Sequence, residues 1–100
     1  MSNANCTYDT KAIRREARKI KQCCDKLDSA ALPRVDGAKA RLDGNFMGRT
    51  ADALDDRLTE TKAQLRTLNR DLNALYTALM RFADALEEAD ARIARLMGGK

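Results

Sequence analysis

Several residue types are scarce in this 100-residue chain, and each scarcity removes a class of function. Histidine and tryptophan are absent, proline occurs once, and aromatic residues make up 4% of the sequence. Without histidine, the chain lacks the usual general base, the usual zinc ligand and the base of a Ser-His or Cys-His nucleophile. No run of ~18 apolar residues is present, so no segment is predicted to span a membrane. The sequence therefore predicts a protein that is not an enzyme and has no catalytic, metal or cofactor site.

The residues that are abundant are typical of helices. Apolar residues make up 44% and charged residues 34%, and alanine, leucine, arginine and aspartate dominate. No apolar signal-peptide region is present near the N-terminus, so a Sec-type signal is not predicted. Residues 1–8 are predicted to be a flexible tail, in which Ser2-Asn3-Ala4 resembles an expression-tag remnant. Residues 9–98 are predicted to form a single domain, and the adjacent Cys23 and Cys24 suit reduced thiols better than zinc or an ordinary disulfide.

Apolar and small residues recur at helical spacing through the first half of the chain. They are Ile13, Ala17, Ile20, Cys24, Leu27, Ala31, Val35, Ala38 and Leu42. This spacing predicts a helix over about 9–42, with Asp9 or Thr10 as its N-cap. Pro33 lacks an N–H donor and crowds the preceding turn, so we expect a kink or break there.

The second half of the chain carries a more regular pattern. Its members are Ala51, Leu54, Leu58, Thr61, Leu65, Leu68, Leu72, Leu75, Leu79, Phe82, Leu86, Ala89, Ile93 and Leu96. The steps alternate between three and four residues, which is typical of a left-handed coiled-coil seam. This pattern predicts a helix over 50–97, capped by Thr50 and about 70 Å long at ~1.5 Å per residue.

So long a helix cannot bury its seam alone, and we expect the first helix to fold back against it as an antiparallel hairpin. Two helices make a small core, and Tyr76, Met80 and Ala83 form a second apolar strip that widens the apolar surface beside the seam. The all-α hairpin is therefore predicted to dimerise, with itself or another chain, into a four-helix bundle. The predicted dimer or partner interface is Leu65, Leu68, Leu72, Leu75, Tyr76, Leu79, Met80 and Phe82.

The short segment between the two predicted helices contains Phe46-Met47-Gly48. An aromatic side chain can cover the open end of a bundle, and a glycine lets the backbone turn into the next helix. A Phe-x-Gly turn in mid-chain, between two amphipathic helices, resembles the WXG-type (ESX) family of bacterial type VII secretion, with Phe46 in place of tryptophan and Gly48 matching the glycine. The resemblance implies a dimeric helical hairpin that is exported folded from the bacterial cytoplasm, without a Sec signal, and is then secreted or held at the cell surface.

The family's Tyr-x-x-x-Asp/Glu export signal is not present in that form. Leu86 and Asp90 stand where it is expected, and they are either a candidate export signal or a core leucine and a solvated acid. Because Leu86 is not aromatic, the chain resembles the subset of WXG-like proteins that bind LXG-type toxins and help to deliver them to the secretion machinery. The resemblance thus implies a partner or targeting protein, or a secreted substrate.

A basic cluster in the first predicted helix contains Arg14, Arg15, Arg18 and Lys19. Two pairs of like charges lie four residues apart, and each pair destabilises a helix by roughly 0.2–0.5 kcal/mol. The cluster is a solvated face, a site for an acidic protein partner, or, least favoured, a nucleic-acid site, because no aromatic or amide residue interrupts it. The alternative functions are therefore a basic coiled coil that binds nucleic acid and a purely structural cytoplasmic homodimer.

Overall fold

The computed structural model describes residues 9–45 and 48–98, and these residues are almost entirely helical. Helix α1 spans Thr10–Lys26, a π-helical turn spans Leu27–Ala31, and α2 spans Leu32–Asn45. Helix α3 spans Arg49–Met97. We call α1, the π turn and α2 together the first arm, and α3 the second arm. The predicted all-helical fold is confirmed, and no strand occurs in the described ranges.

The first arm begins at the predicted cap. The Asp9 carboxylate accepts a hydrogen bond from the Ala12 backbone N–H at 3.2 Å, which satisfies one of the free donors at the start of a helix. Ala17 and Cys24, two members of the predicted apolar stripe, are fully buried in α1. The stripe and the cap therefore place this helix as the sequence predicts.

The predicted irregularity near Pro33 takes the form of a π turn. The Leu32 N–H donates to the Leu27 carbonyl, five residues earlier, where an α-helix would use a carbonyl four residues earlier. A proline ring crowds the carbonyl four residues before it, and the wider π turn relieves that crowding. The first arm consequently continues past Pro33 as helix and is not divided there.

The reversal of the chain differs in two details from the prediction. Helix α2 runs to Asn45 and does not end at Leu42, and the Asn45 side-chain amide donates to the Arg41 carbonyl at 2.8 Å, satisfying an acceptor of the last turn. Thr50 is not the N-cap of α3, because Gly48 occupies that position and Thr50 lies inside the helix. Gly48 has φ of 77° and ψ of −150°, a conformation that side-chain-bearing residues rarely adopt.

The two arms pack antiparallel along their length. As residue numbers rise in the first arm, the residues they contact in α3 fall, from Arg14 with Glu87 to Lys39 with Thr59. The molecule measures 77 × 16 × 16 Å, in agreement with a 49-residue helix of about 74 Å at ~1.5 Å per residue. Beyond Glu87, α3 continues to Met97 past the start of α1, and the side chains Ile93, Leu96 and Met97 there are exposed.

The core of this hairpin is thin. Among the described residues, the fully buried apolar ones are Ala17, Cys24 and Ala83, all of them small. Most leucines of α3 are half-buried, because a single neighbouring helix covers only part of each side chain. No described helix is long and apolar enough to cross a membrane.

Candidate partner-binding face

The leucine seam of α3 consists of two strips that have different surroundings. Leu58, Leu65, Leu72, Leu79 and Leu86 are half-buried in the hairpin. Leu68, Leu75 and Phe82 form the second strip, and each remains 46% exposed. The first arm therefore packs against one side of the seam and leaves its other side open.

Residues just beyond the first strip show why the first arm lies there. Ala83 is fully buried and Tyr76 is half-buried, although neither belongs to the 3-4 seam. Small alanines at positions 17 and 83 are both buried completely, as expected where two helices approach closely. The hairpin contact is thus centred on one edge of the predicted seam.

The predicted interface residues divide between these two settings. Five of them are half-buried within the hairpin, namely Leu65, Leu72, Tyr76, Leu79 and Met80. The other three are the exposed strip, Leu68, Leu75 and Phe82. The sequence pattern treats all eight as one surface, because a 3-4 repeat does not indicate which side of the seam the first helix covers.

Polar contacts between the arms occupy the opposite side of the hairpin. Asn73 and Glu87 follow Leu68 and Phe82 by five positions each, which is about 140° around an α-helix. Lys21 donates to Asn73 at 3.3 Å, and Arg14 donates to Glu87 at 2.6 Å. The hairpin accordingly has one side joined by polar contacts and one side that exposes apolar side chains.

Arg14 makes the most extensive of these contacts. Its Nη2 lies 2.7 Å from Asp84 Oδ1 and 2.6 Å from Glu87 Oε1. Hydrogen bonds to Glu87 and then Asp84 raise the pKa of the Arg14 guanidinium. The hydrogen bond from Arg14, followed by one from Thr10, lowers the pKa of the Glu87 carboxyl below its ordinary 4.5. Both charges are thus stabilised in the folded hairpin.

The predicted basic cluster is consequently smaller than its sequence indicates. Arg14 is bound by the chain's own carboxylates, and Lys19 forms an ion pair with Glu16 at 3.0 Å. Arg15 and Arg18 are exposed. The acidic groups that offset the repulsion around Arg14 belong to α3, and the antiparallel arrangement brings them there.

The sequence pattern did not single out a chain of hydrogen bonds beside the π turn. The Asn69 side-chain amide donates to Asp28 Oδ1 at 2.7 Å, and the Asn73 amide donates to Asn69 Oδ1 at 3.3 Å. Lys21 donates to Asn73, which extends the chain of contacts across the two arms. Two amide residues four positions apart beside a leucine seam are the signal that could have located this polar side.

An apolar groove adjoins the exposed strip at the level of the π turn. It has a volume of about 600 Å³, and its lining residues are Cys23, Lys26, Leu27, Ala30, Ala31, Arg34, Leu68 and Leu72. Leu68 belongs both to the groove and to the exposed strip, so the two are continuous. We call this groove together with Leu68, Leu75 and Phe82 the apolar face, and contiguous exposed apolar surface of this kind is typical of a protein-binding site.

Three of the remaining predicted site residues are described by the structure, and they lie at the two ends of the hairpin. Phe46 lies outside the described residues, and Gly48 lies directly before α3. At the other end Leu86 is half-buried and Asp90 is exposed. No group of residues suited to holding a metal ion occurs within 9–45 and 48–98.

A comparison with protein families agrees with this geometry. The family model WXG100, described as proteins of 100 residues with WXG, matches residues 5–91. The chain belongs to the WXG100 family. The resemblance predicted from Phe46-x-Gly48 and the two helices is therefore confirmed, and the family associates this WXG100 protein with type VII secretion. Neither a curated protein nor a solved structure shows significant similarity to it.

Proposed function

We propose that this WXG100 protein is a non-enzymatic partner of type VII secretion that works by binding another helical hairpin through its apolar face. The two hairpins together form a four-helix bundle, in which the partner covers Leu68, Leu75 and Phe82. The partner is a second small hairpin or the helical region of an LXG-type toxin. The resulting complex is delivered to the secretion machinery.

The observation that carries this proposal is the exposed strip itself. Leu68, Leu75 and Phe82 lie seven residues apart, so they form one line along a coiled-coil helix. Burying a large apolar side chain contributes roughly 1.5–3 kcal/mol, and each of these three is 46% exposed in the single hairpin. A second hairpin placed on this line would remove that surface from water.

The thin core gives independent support. The fully buried residues described are two alanines and one cysteine, so the hairpin alone encloses no large side chain. A four-helix bundle encloses the seam residues of all its helices. The hairpin thus has the geometry of one half of a bundle.

The end of α3 is the second part of the proposed function. Asp90 is exposed and follows the half-buried Leu86 by four residues, one turn further along the helix. We propose that Leu86 and Asp90 contribute to an export surface shared with the partner. This surface lies at the end of the hairpin opposite the Gly48 turn.

The proposal is tested by a charge placed on the apolar face. Leu75→Asp is expected to abolish the pairing of this chain with its partner in the secreting bacterium and to stop co-export, because an unpaired carboxylate would be buried in the bundle. Thr77→Asp is the matched control, since it adds the same charge two residues away at an exposed position off the strip. Co-purification and export of the full-length chain are measured for both variants. Normal pairing of Leu75→Asp would contradict the proposal.

A further inference from the structure

The side of α1 that faces away from α3 carries a line of exposed basic side chains. Arg15 lies two positions from the fully buried Ala17, and Lys26 lies two positions from the fully buried Cys24, which is about 160° around an α-helix in each case. The exposed residues on this side follow one another in steps of four, three, four and four, and they are Lys11, Arg15, Arg18, Gln22 and Lys26. We call these five residues the outer stripe, which is about 22 Å long at ~1.5 Å per residue.

The four bases of the outer stripe are not neutralised within the described part of the hairpin. None of them forms an ion pair or a hydrogen bond with another described side chain. The two acidic residues within α1 are engaged elsewhere. Glu16 pairs with Lys19 at 3.0 Å, and Asp25 lies 3.8 Å from Lys21. The carboxylates of α3 at this end bind Arg14. The stripe therefore keeps its full positive charge at the surface.

The spacing of these bases makes the arrangement unfavourable unless an anion lies beside it. Lys11 and Arg15 are four positions apart and Arg15 and Arg18 are three apart, so each pair of like charges lies side by side on the helix surface. Arg14 belongs to the same cluster in the sequence, but α3 supplies its counter-charges. An anionic surface outside the chain would supply those of the outer stripe.

The shape of the molecule favours a flat anionic surface over a nucleic acid. The hairpin is a rod of 77 × 16 × 16 Å, and the outer stripe follows one of its helices. A flat surface laid along that helix meets all four bases together. The phosphates of a duplex wind around it along two backbones, so a straight rod meets them only where it crosses them. None of the five side chains is aromatic, so the bases of a single strand have nothing on which to stack.

The biological setting points to the same kind of surface. The family associates this protein with type VII secretion, and a chain that is passed to secretion machinery has to reach a membrane. Anionic lipids at a membrane surface attract clusters of Lys and Arg. No described helix is apolar enough to span a bilayer, and the outer stripe contains no apolar side chain, so contact with the headgroups without insertion is expected.

Most of the outer stripe is separate from the apolar face. Arg18 lies one turn from both Arg14 and Lys21, which join the arms on the polar side of the hairpin. Lys26, at one end of the stripe, also lines the groove. A helical partner on the apolar face would therefore leave Arg15 and Arg18 accessible.

We propose that the outer stripe docks this WXG100 protein on the anionic phospholipid surface of a membrane, through electrostatic contact with the headgroups and without insertion. Lys11, Arg15 and Arg18 form the centre of the contact. The inference does not use the apolar face, so it stands or fails separately from the proposed binding of a helical partner.

Co-sedimentation of the full chain with lipid vesicles tests the proposal. At low salt we expect binding to vesicles made of equal parts phosphatidylglycerol and phosphatidylcholine, and no binding to vesicles of phosphatidylcholine alone. Binding is expected to disappear at ~1 M salt, where the Debye length is ~3 Å. Absence of binding to the anionic vesicles at low salt, or equal binding to both kinds of vesicle, would overturn the proposal.

A pair of charge variants locates the contact. Arg15→Gln/Arg18→Gln is expected to weaken binding to the anionic vesicles about tenfold or more, since each base near such a surface contributes several-fold. Arg70→Gln/Arg81→Gln is the matched control, because it removes the same charge from exposed positions of α3, and Arg81 lies two positions from the fully buried Ala83 and so faces away from α1. The control should change binding little, because charges beyond a Debye length are screened. Equal losses in the two variants, with helix content unchanged by circular dichroism, would indicate a response to net charge alone and overturn the proposal.

Two further measurements separate a lipid surface from other anions. Arg15→Lys/Arg18→Lys keeps both charges and is expected to bind the anionic vesicles within about threefold of the original chain, as contact with headgroups through charge requires. Duplex DNA is offered to the original chain at the same salt and is expected to bind more weakly than the vesicles. Tighter binding to the duplex than to the anionic vesicles would overturn the assignment to a membrane surface.

Discussion

At the scale of single residues, a few residues determine where the chain reverses and which contacts hold the two arms together. Gly48 adopts a conformation reserved in practice for glycine and starts the second arm. Asp9 caps the first arm, and Arg14 holds the two arms together at that end. Gly48 and Asp9 could be predicted from residue type and position, whereas the partners of Arg14 depend on the register of the hairpin.

Replacing Gly48 is expected to destabilise the hairpin. Gly48→Ala forces a side-chain-bearing residue to φ of 77°, which should lower the free energy of unfolding by about 1–3 kcal/mol. Gly44→Ala is the matched control, because Gly44 lies within α2, has open space where a Cβ would lie and should gain up to ~1 kcal/mol of helix stability. Urea unfolding of both variants measures the difference. Equal effects of the same sign would contradict the assigned turn.

The ion pairs of Arg14 predict a dependence of stability on pH. Because folding lowers the pKa of Glu87 below 4.5, its contribution is present above that value and is lost as pH falls through the lowered pKa. Glu87→Gln should therefore reduce the melting temperature near neutral pH and make little difference in strong acid. Glu88→Gln, which removes a surface pair with Arg92, is the control and should change it less. A Glu87→Gln deficit that persists unchanged in strong acid would argue against this linkage.

At the scale of helices, the sequence predicts the two arms and their antiparallel contact but not the side on which they meet. The 3-4 repeat of α3 identifies a seam, yet its two strips are equally rich in leucine. Residues beside the seam determine the side of contact: Ala83 allows close approach, and across the arms Asn69 donates to Asp28 while Asn73 accepts from Lys21. Pro33 predicts an irregularity in the first arm. Its form as a π turn could not be predicted, because it depends on the packing of both α1 and α2 against α3.

The close approach of the arms is tested at Ala83. Ala83→Leu is expected to lower the free energy of unfolding by about 1–3 kcal/mol, because the added atoms have no space where Ala83 is fully buried. Ala91→Leu is the control, since Ala91 is exposed on the same helix and the two residues have similar helix propensity. Thermal unfolding of both variants is compared. No loss of stability in Ala83→Leu would contradict the assigned packing.

At the scale of the whole molecule, the hairpin is a 77 Å rod with a polar side and an apolar side. The family could be predicted from Phe46-x-Gly48 between two amphipathic helices, and the family match confirms it. The division of the hairpin into a polar and an apolar side could not be predicted from the sequence, because it depends on how the two arms are rotated about their axes. This division concentrates the candidate site on three side chains, Leu68, Leu75 and Phe82.

The proposed coverage of this apolar face by a helical partner is tested most directly by hydroxyl-radical footprinting of Phe82. The full-length chain is oxidised briefly within its complex from the bacterium and as the isolated Leu75→Asp variant, and mass spectrometry quantifies modification of each side chain. We expect Phe82 and Leu68 to be modified several-fold more slowly in the complex, with Pro33, which is exposed outside the apolar face, modified equally in both. Equal modification of Phe82 in the complex and in the isolated variant would contradict binding of a partner at the apolar face.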